Sequence, residues 1–316
     1  MLNRFFISCF LILLLLAGQA GKSMVWAQES VPDGQPAAAV PTDGEGNAEY
    51  PDGITLEQDS LTIGPAALSG NMGRYAFSRF QTTATYRYFT LGYTRRIFQW
   101  DNVGFLPFGN GRDDPFTGIN TVSLKLKKKG PIAGRWRYYA RGQISSSFEK
   151  KPGSPSLDVL AAMGYDFSSR FKVRVGAALL FHDVRTIVVP LAALKFWGGG
   201  KSADKPLFTI SVGLPETTIS YHHSPRWEFC GSLLADSTVA DLANDSPVIA
   251  NGFVETRDIV MSLLVRFSPT PSLTLAAGLG YDTLRRIKFY TPEGQKITDY
   301  EVKGALSGRL LLTVLF

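Results

Sequence analysis

Cysteine is scarce in this 316-residue sequence, which contains only Cys9 and Cys230. Cys9 lies in an N-terminal apolar stretch, so a chain that loses this stretch keeps Cys230 alone and cannot form an internal disulfide. The sequence also has no recognisable phosphate-binding loop or nucleic-acid-binding motif. Its net charge of +6 therefore does not predict DNA or RNA as a partner.

Long hydrophobic runs are missing after the first 16 residues, so no transmembrane helix is predicted in the rest of the chain. Residues 5–16 are almost uninterruptedly apolar, follow a positive charge at Arg4 and precede the small residues Val25 and Ala27. This pattern predicts that residues 1–27 are a secretory signal peptide, which is cleaved near Ala27. The alternative, an uncleaved membrane anchor, needs a longer apolar run.

Aromatic residues are nearly absent from residues 28–53, which are acidic and rich in proline, glycine and alanine. Such a composition cannot bury enough apolar surface to form a core. We therefore predict that residues 28–70 are a disordered or partly ordered periplasmic N-terminal extension. The folded domain is expected to cover residues 71–316.

From about residue 74 onward, apolar and polar residues alternate almost without interruption. In the stretch that begins at Phe171, apolar residues such as Val173 and Val175 occupy every second position, and Lys172 and Arg174 lie between them. A period of two residues is that of a β-strand whose two faces have different surroundings. The folded domain is therefore predicted to be all-β.

The connections between these strands favour a membrane barrel over a soluble one. Short turns such as "DFSSRF" and "FSPTPS" contrast with long polar stretches at residues 101–118, 235–257 and 281–300. Short turns at one end and long loops at the other are typical of outer-membrane barrels. Aromatic residues near the strand ends, such as Trp136 and Trp227, fit the aromatic girdles at the two membrane surfaces.

The C-terminal strand carries the most specific pattern, with Leu310, Leu312, Val314 and Phe316 in one apolar register. It resembles the last strand of bacterial outer-membrane β-barrel proteins, which ends in Phe and is read by the barrel-assembly machinery. The stretches "VVPLAAL" and "VGLPETTISY" are similar to uncharacterised barrel families of this class. The resemblance implies a location in the bacterial outer membrane, with membrane lipid and the assembly machinery as partners and Phe316 as the assembly signal.

A transmembrane antiparallel up-and-down β-barrel is thus the expected fold. Thirteen segments have strand character, whereas bacterial single-chain barrels have an even number of strands. Either residues 60–68 add a strand or two neighbours merge across Pro215. With membrane strands of about 9–11 residues, we predict about 12 strands, within a range of 10–14.

Basic residues in the polar register suggest a function. If the polar register faces a water-filled lumen, its field favours anions, which predicts a passive channel or small-solute transport protein for small anionic solutes. A lumen plugged by pairs between these residues and nearby carboxylates is an equal alternative, as is a structural or surface-interaction barrel without transport. The candidate lumen-lining or binding residues are Lys125, Arg135, Arg137, Arg141, Lys172, Arg174 and Arg309.

An enzyme is the least favoured reading. His222 and Ser224 lie two residues apart and are similar to the His-x-Ser pair of outer-membrane phospholipases and lipid A deacylases. Those families continue with Asn where this chain has Pro225 and Arg226. A polar turn explains the stretch without a lipid hydrolase, so we predict no catalytic residues, no metal and no cofactor.

Overall fold

The computed structural model describes residues 53–70, 72–199, 207–214 and 216–316. The predicted signal peptide and the part of the predicted extension before residue 53 lie outside the described residues. Within them, no helix is long and apolar enough to cross a membrane.

The described residues form strands along almost their whole length. The strands are β1 (Ile54–Ala67), β2 (Arg74–Tyr86), β3 (Phe89–Asp101), β4 (Gly118–Ala133), β5 (Trp136–Phe148), β6 (Pro155–Ser168), β7 (Phe171–His182), β8 (Arg185–Gly198), β9 (Phe208–Gly213), β10 (Glu216–His222), β11 (Trp227–Asp241), β12 (Phe253–Thr270), β13 (Leu273–Tyr290), β14 (Lys296–Val302) and β15 (Ala305–Leu315). One 3₁₀-helix, Val103–Phe105, lies in the loop between β3 and β4.

Antiparallel pairing between sequence neighbours closes these strands into a barrel. The strand β12 pairs with β13, β13 pairs with β15, and β15 pairs with β1, so the ring contains β1–β13 and β15. The short strand β14 pairs with residues 285–290 of β13 and continues the path of β15. The barrel therefore has 14 strands, which is more than the expected number of about 12 and lies at the upper limit of the predicted range of 10–14.

The fourteenth strand is β1, as in the alternative that residues 60–68 add a strand, but β1 begins earlier, at Ile54, within the range predicted to be an extension. It pairs with β2 on one side and β15 on the other, so the barrel starts before residue 71 and the predicted boundary is wrong. The inner register of β1 contains Glu57 and Asp59, which are buried. The outer register of β1 holds the polar residues Gln58, Ser60 and Thr62, so this strand lacks the apolar alternation by which the other strands are recognised.

The two ends of the barrel differ. At one end, here named the terminal end, β1 and the C-terminus meet, and the backbone of Phe316 exchanges hydrogen bonds with Ile54 at 3.0 and 3.3 Å. At the opposite loop end, residues 101–118, 241–253 and 290–296 connect the strands. This asymmetry is the one expected from the sequence.

The outer surface of the barrel is apolar. On β15, Leu306 is 76% exposed and Leu310 is 63% exposed, whereas Arg309 between them is buried. Aromatic pairs lie on the outer register near the terminal end, with the rings of Trp227 and Phe267 4.6 Å apart. A closed barrel with an apolar outer band and aromatic residues at its edge is suited to a bilayer, because every backbone group within the band can be paired between strands.

The closed ladder predicts how the protein behaves on a gel. Because inter-strand hydrogen bonds join β1 to β15 and leave no free edge at the seam, the folded barrel should resist sodium dodecyl sulfate until it is heated. An unboiled sample should migrate differently from a boiled one and should fractionate with the outer membrane. Recovery in the soluble periplasmic fraction without a mobility difference would contradict the membrane-barrel assignment.

Candidate solute passage

Part of the barrel interior is filled by a layer of charged side chains, here named the ionic layer. Its centre is Asp236 on β11, whose carboxylate accepts hydrogen bonds from Arg79 on β2 at 2.6 Å and Arg96 on β3 at 3.2 Å. Asp59 on β1 accepts hydrogen bonds from Arg79 at 3.2 Å and from Arg309 on β15 at 2.8 Å. The full layer contains four aspartates and four arginines, all buried: Asp59, Asp236, Asp258, Asp282, Arg79, Arg96, Arg285 and Arg309.

These contacts cross the interior. Between β2 and β11 the shorter way round the ring passes β1, β15, β13 and β12. The ion pair between Arg79 and Asp236 therefore bridges two separate parts of the barrel wall and blocks the interior at this point. The equal numbers of acidic and basic residues make this buried layer neutral overall.

Between the ionic layer and the loop end, aromatic side chains also fill the barrel interior. Trp100, Phe98 and Phe116 pack with ring centroids 4.8–6.2 Å apart. Trp100 also donates its indole N–H to the carbonyl oxygen of Phe116 at 2.7 Å. Phe108 of the same loop packs on Phe289 of β13 at 4.7 Å, so the loop between β3 and β4 folds inward and caps this region.

At the loop end the barrel is pinched. Phe148 at the end of β5 forms a parallel bridge with Asp241 at the end of β11, although β6–β10 lie between these strands in the ring. The carboxylate of Glu149 also accepts a hydrogen bond from the backbone N–H of Ala243 at 2.9 Å. The pinch separates the filled side, bounded by β1–β4 and β11–β15, from the side bounded by β5–β10, here named the passage side.

Several of the predicted basic residues lie in the inner register of the passage side or of β4, the strand next to it. Lys125 on β4, Arg141 on β5 and Arg174 on β7 are half-buried, and the outer-register neighbours Leu124, Ile144 and Val175 are 47–55% exposed. The strand alternation therefore turns these three basic side chains inward. Lys172 lies one inner position closer to the terminal end than Arg174.

The mouth at the terminal end combines charge with an aromatic ring. The carboxylate of Asp166 lies 3.3 Å from Arg137 and 3.7 Å from Lys172. The ammonium groups of Lys172 and Lys195 lie 5.2 and 4.9 Å from the ring centroid of Trp197. Arg137 is more than half exposed, so it belongs to this mouth rather than to the narrow interior.

Two predicted residues do not line the passage. Arg135 lies in the turn between β4 and β5, where it is exposed and donates a hydrogen bond to the carbonyl oxygen of Phe167 at 3.0 Å. Arg309 points inward but is bound to Asp59 within the ionic layer. Neither residue lines the passage side, because Arg135 lies outside a strand and Arg309 is paired with Asp59 on the adjacent strand β1.

No protein-family model matches this chain, and no curated protein matches it. Among solved structures, it is similar to an outer membrane channel from Pseudomonas putida F1 with 11% identity and a TM-score of 0.41, over 86% of this chain and 98% of that one. A Pseudomonas aeruginosa FadL homologue shows 10% identity and a TM-score of 0.35, over 83% and 88%. The KdgM porin shows 7% identity and a TM-score of 0.35, over 82% and 99%.

The chain has the fold of a bacterial outer-membrane β-barrel. This assignment depends on the chain's own closed ladder and apolar outer band, since similarities of this size carry no further argument.

The His-x-Ser pair lies in a turn at the terminal end. Ser224 accepts hydrogen bonds on its side-chain oxygen from the backbone N–H groups of Arg226 and Trp227 at 3.3 and 3.2 Å. His222 lies 3.4 Å from the hydroxyl of Thr209. Among the described residues no hydrogen bond joins His222 to Ser224, so the pair lacks the nucleophile-to-base contact of a hydrolase.

Ionisable groups in the loops behave as ordinary surface residues. The ammonium group of Lys150 lies 2.6 Å from the carboxylate of Asp245. This hydrogen bond raises the pKa of Lys150 and lowers the pKa of Asp245. Within the part of the chain that the structure describes, no three metal-binding side chains come together.

A lumen plugged by ion pairs was one alternative in the sequence analysis, but Arg309 is the one candidate residue that belongs to the ionic layer, and the apolar patch on the passage side was missed. Arg79, Arg96 and Asp236 occupy inner-register positions of β2, β3 and β11, and the period of two residues is the signal that could have identified them. The apolar patch also occupies the inner register, on β6–β8, where charged residues were expected. It contains Leu160, Ala178, Leu180 and Val189, with Ile187 and Leu191 packed against them.

Proposed function

We propose that the protein is a passive outer-membrane channel for small solutes, with a preference for anions. Solute would move along the inner face of β5–β10, since the ionic layer and the aromatic side chains occupy the other side. The observation that supports this most directly is the inward orientation of Lys125, Arg141 and Arg174 on β4, β5 and β7. A concentration of positive charge in a low-dielectric wall raises the local concentration of anions.

In this proposal the mouth at the terminal end faces the periplasm, because bacterial barrels place their short turns there. Lys172 and Lys195 against Trp197 would be the last basic groups that an anion meets. Asp166 lowers the net positive charge of this mouth and keeps the two nearby cations Arg137 and Lys172 in place. An arrangement of this kind lets anions leave, since conduction requires that binding remain weak.

Charge reversal on the passage side tests the proposal. The purified barrel should conduct in a planar bilayer, and its reversal potential in a potassium chloride gradient should show anion preference. In the variant Lys125→Glu, Arg141→Glu and Arg174→Glu the preference should change to cations, because three inward positive charges become negative. The measurement is the sign of the reversal potential.

The matched control is Arg112→Glu, which reverses an exposed charge in the loop between β3 and β4 and should leave selectivity unchanged. Persistent absence of conductance from a correctly folded barrel would favour the structural or surface-interaction alternative. Conductance with the same anion preference in the triple variant would place the solute path elsewhere in the barrel.

A further inference from the structure

The outer register of β12 and β13 changes character toward the loop end. Within the apolar outer band it carries exposed side chains such as Leu263 (57% exposed) and Leu279 (75% exposed). Eight positions before Leu263, the same register of β12 holds Glu255, which is 0% exposed. Glu255 is paired with Lys288 of β13, which is 8% exposed. These charged side chains point away from the filled interior and are nevertheless buried, so another part of the chain covers them.

The tip of the β7–β8 hairpin provides this cover. His182 and Arg185 flank the two-residue turn of the hairpin. The ring of His182 packs on Phe253 of β12 with the ring centroids 5.5 Å apart. Arg185 lies 2.7 Å from the carboxylate of Glu255 and donates a hydrogen bond to Ser237 of β11 at 3.3 Å. The passage side therefore leans on the outer face of β11 and β12.

Two backbone contacts complete the closure at the loop end. The hairpin turn lies against the loop between β13 and β14, where a Cβ atom on Gly294 would be 3.1 Å from the carbonyl oxygen of Asp183. In the loop between β5 and β6, the backbone N–H of Ser154 donates a hydrogen bond to the carboxylate of Asp241 at 3.0 Å. A solute that moves along the inner face of β5–β8 meets these contacts before it reaches the loop end.

The ion pair between Arg185 and Glu255 can break without leaving a buried charge unpaired. Glu255 also accepts hydrogen bonds from Arg257 on its own strand and from the hydroxyl of Tyr290 on β13, both at 2.6 Å. Removing the partner of a buried charge is costly when no other partner remains, but Glu255 keeps these two. The side chain of Arg185 is already 18% exposed, so water receives its charge when the contact breaks.

The ladder leaves one edge of the hairpin tip free to move. Residues 185–192 of β8 pair with β7, but among the described residues no ladder pair joins them to a strand on the other side. Pairing between β8 and β9 begins only at Ala193. On this edge the tip is held by side-chain contacts alone, and segments with few backbone bonds open at a lower free energy than the rest of a protein.

We propose that the tip of the β7–β8 hairpin, residues 182–185, is a gate at the loop end of the passage, and that the ion pair between Arg185 and Glu255 is its latch. This inference rests on the channel function proposed above. When the latch breaks, the tip moves away from β12 and β13 and opens the passage at the loop end. The structure shows the closed form, so single channels should be closed for most of the time.

Single-channel recordings in a planar bilayer test the latch. Arg185→Gln should raise the open fraction severalfold, because it removes the charge that holds the tip. The matched control is Arg257→Gln, which removes a cation at a similar distance from Glu255 but on the same wall, and should not raise the open fraction. The gel-mobility difference confirms that both variants are folded. Equal open fractions in the two variants would overturn the latch.

A disulfide across the closed gate is a test that keeps the latch charges. The Cβ position of Gly294 lies 3.4 Å from the Cα atom of Val184, which suits a disulfide between these positions. In the Cys9→Ser, Cys230→Ser protein with Val184→Cys and Gly294→Cys, oxidation should abolish openings and dithiothreitol should restore them. Comparing both redox states of one protein controls for the strain of cysteine at the positive φ of Gly294. Openings that continue after complete oxidation would overturn the gate.

A distance measurement separates the gate from the channel. Spin labels on cysteines at Asp183 and Glu293, which are both exposed, report the separation between the hairpin tip and the loop between β13 and β14. Double electron–electron resonance in vesicles should show an additional longer distance in the Arg185→Gln protein that the Arg257→Gln protein lacks. A longer distance without conductance would keep the movable tip and remove the proposed channel. Conductance without a longer distance, and with equal open fractions, would remove the gate alone.

Discussion

Replacing Asp236 with alanine should lower the free energy of unfolding of the barrel by about 3–5 kcal/mol. Asp236 is the shared partner of Arg79 and Arg96, and all three side chains are buried. Without the carboxylate, two guanidinium groups remain in a region that excludes water, and each loses a charge-assisted hydrogen bond. Urea unfolding in lipid vesicles, followed by tryptophan fluorescence and by the gel-mobility difference, measures the effect.

The matched control is Asp245→Ala. Asp245 also lies 2.6 Å from a basic group, but both members of its pair are exposed in the loops. Exposed pairs contribute little because water and salt screen them, so this variant should unfold almost as the unchanged protein does. Similar unfolding of the Asp236 and Asp245 variants would show that water reaches the ionic layer and that the filled side is not dry.

The inner and outer faces of the strands could be predicted from the sequence. On β15, the period of two residues separates Leu306, Leu310 and Leu312 from Arg309, and the structure has the same division. This succeeds because lipid and the barrel interior impose opposite preferences on successive residues. Loops were likewise expected at residues 101–118, 235–257 and 281–300. The second and third are shorter than expected, because β11 continues to Asp241, β12 begins at Phe253 and β13 continues to Tyr290.

The partners of the inward charges could not be predicted in this way. Arg309 and Asp59 are 250 residues apart in the chain and come together only because β1 and β15 close the barrel. Arg79 and Asp236 meet across the interior without being on neighbouring strands. Periodicity indicates which way a side chain points, but the identity of its neighbour depends on closure, strand tilt and the inward bend of the wall.

Strand length was the other quantity that the sequence did not show. The strands β9 and β10 have only 6 and 7 residues, and their pairing with β8 and β11 extends toward the loop end only to Ala193 and Leu234.

Substituting Phe316 with alanine should strongly reduce assembly of the barrel in cells. The Phe316 ring is 71% exposed on the outer surface, and its backbone is hydrogen-bonded to Ile54. Alanine keeps these backbone bonds and removes only the ring, whose contact with lipid is worth at most about 1.5–3 kcal/mol. If the assembly machinery reads this ring, as the resemblance of the last strand implies, unfolded protein should accumulate in the periplasm severalfold. Pulse-chase labelling combined with the gel-mobility difference measures the folded fraction over time.

Leu306→Ala on the same strand is the matched control, since Leu306 is 76% exposed on the same outer register. Its loss removes a comparable apolar contact with lipid, ten residues from the final position. Spontaneous refolding into lipid vesicles should be reduced only slightly by either substitution, because no machinery takes part. A defect that is specific to Phe316 in cells and absent in vesicles would assign recognition to its ring. If Phe316→Ala and Leu306→Ala caused equal defects in cells and in vesicles, recognition of Phe316 would be contradicted. Burial of its ring in the bilayer would then account for its whole contribution.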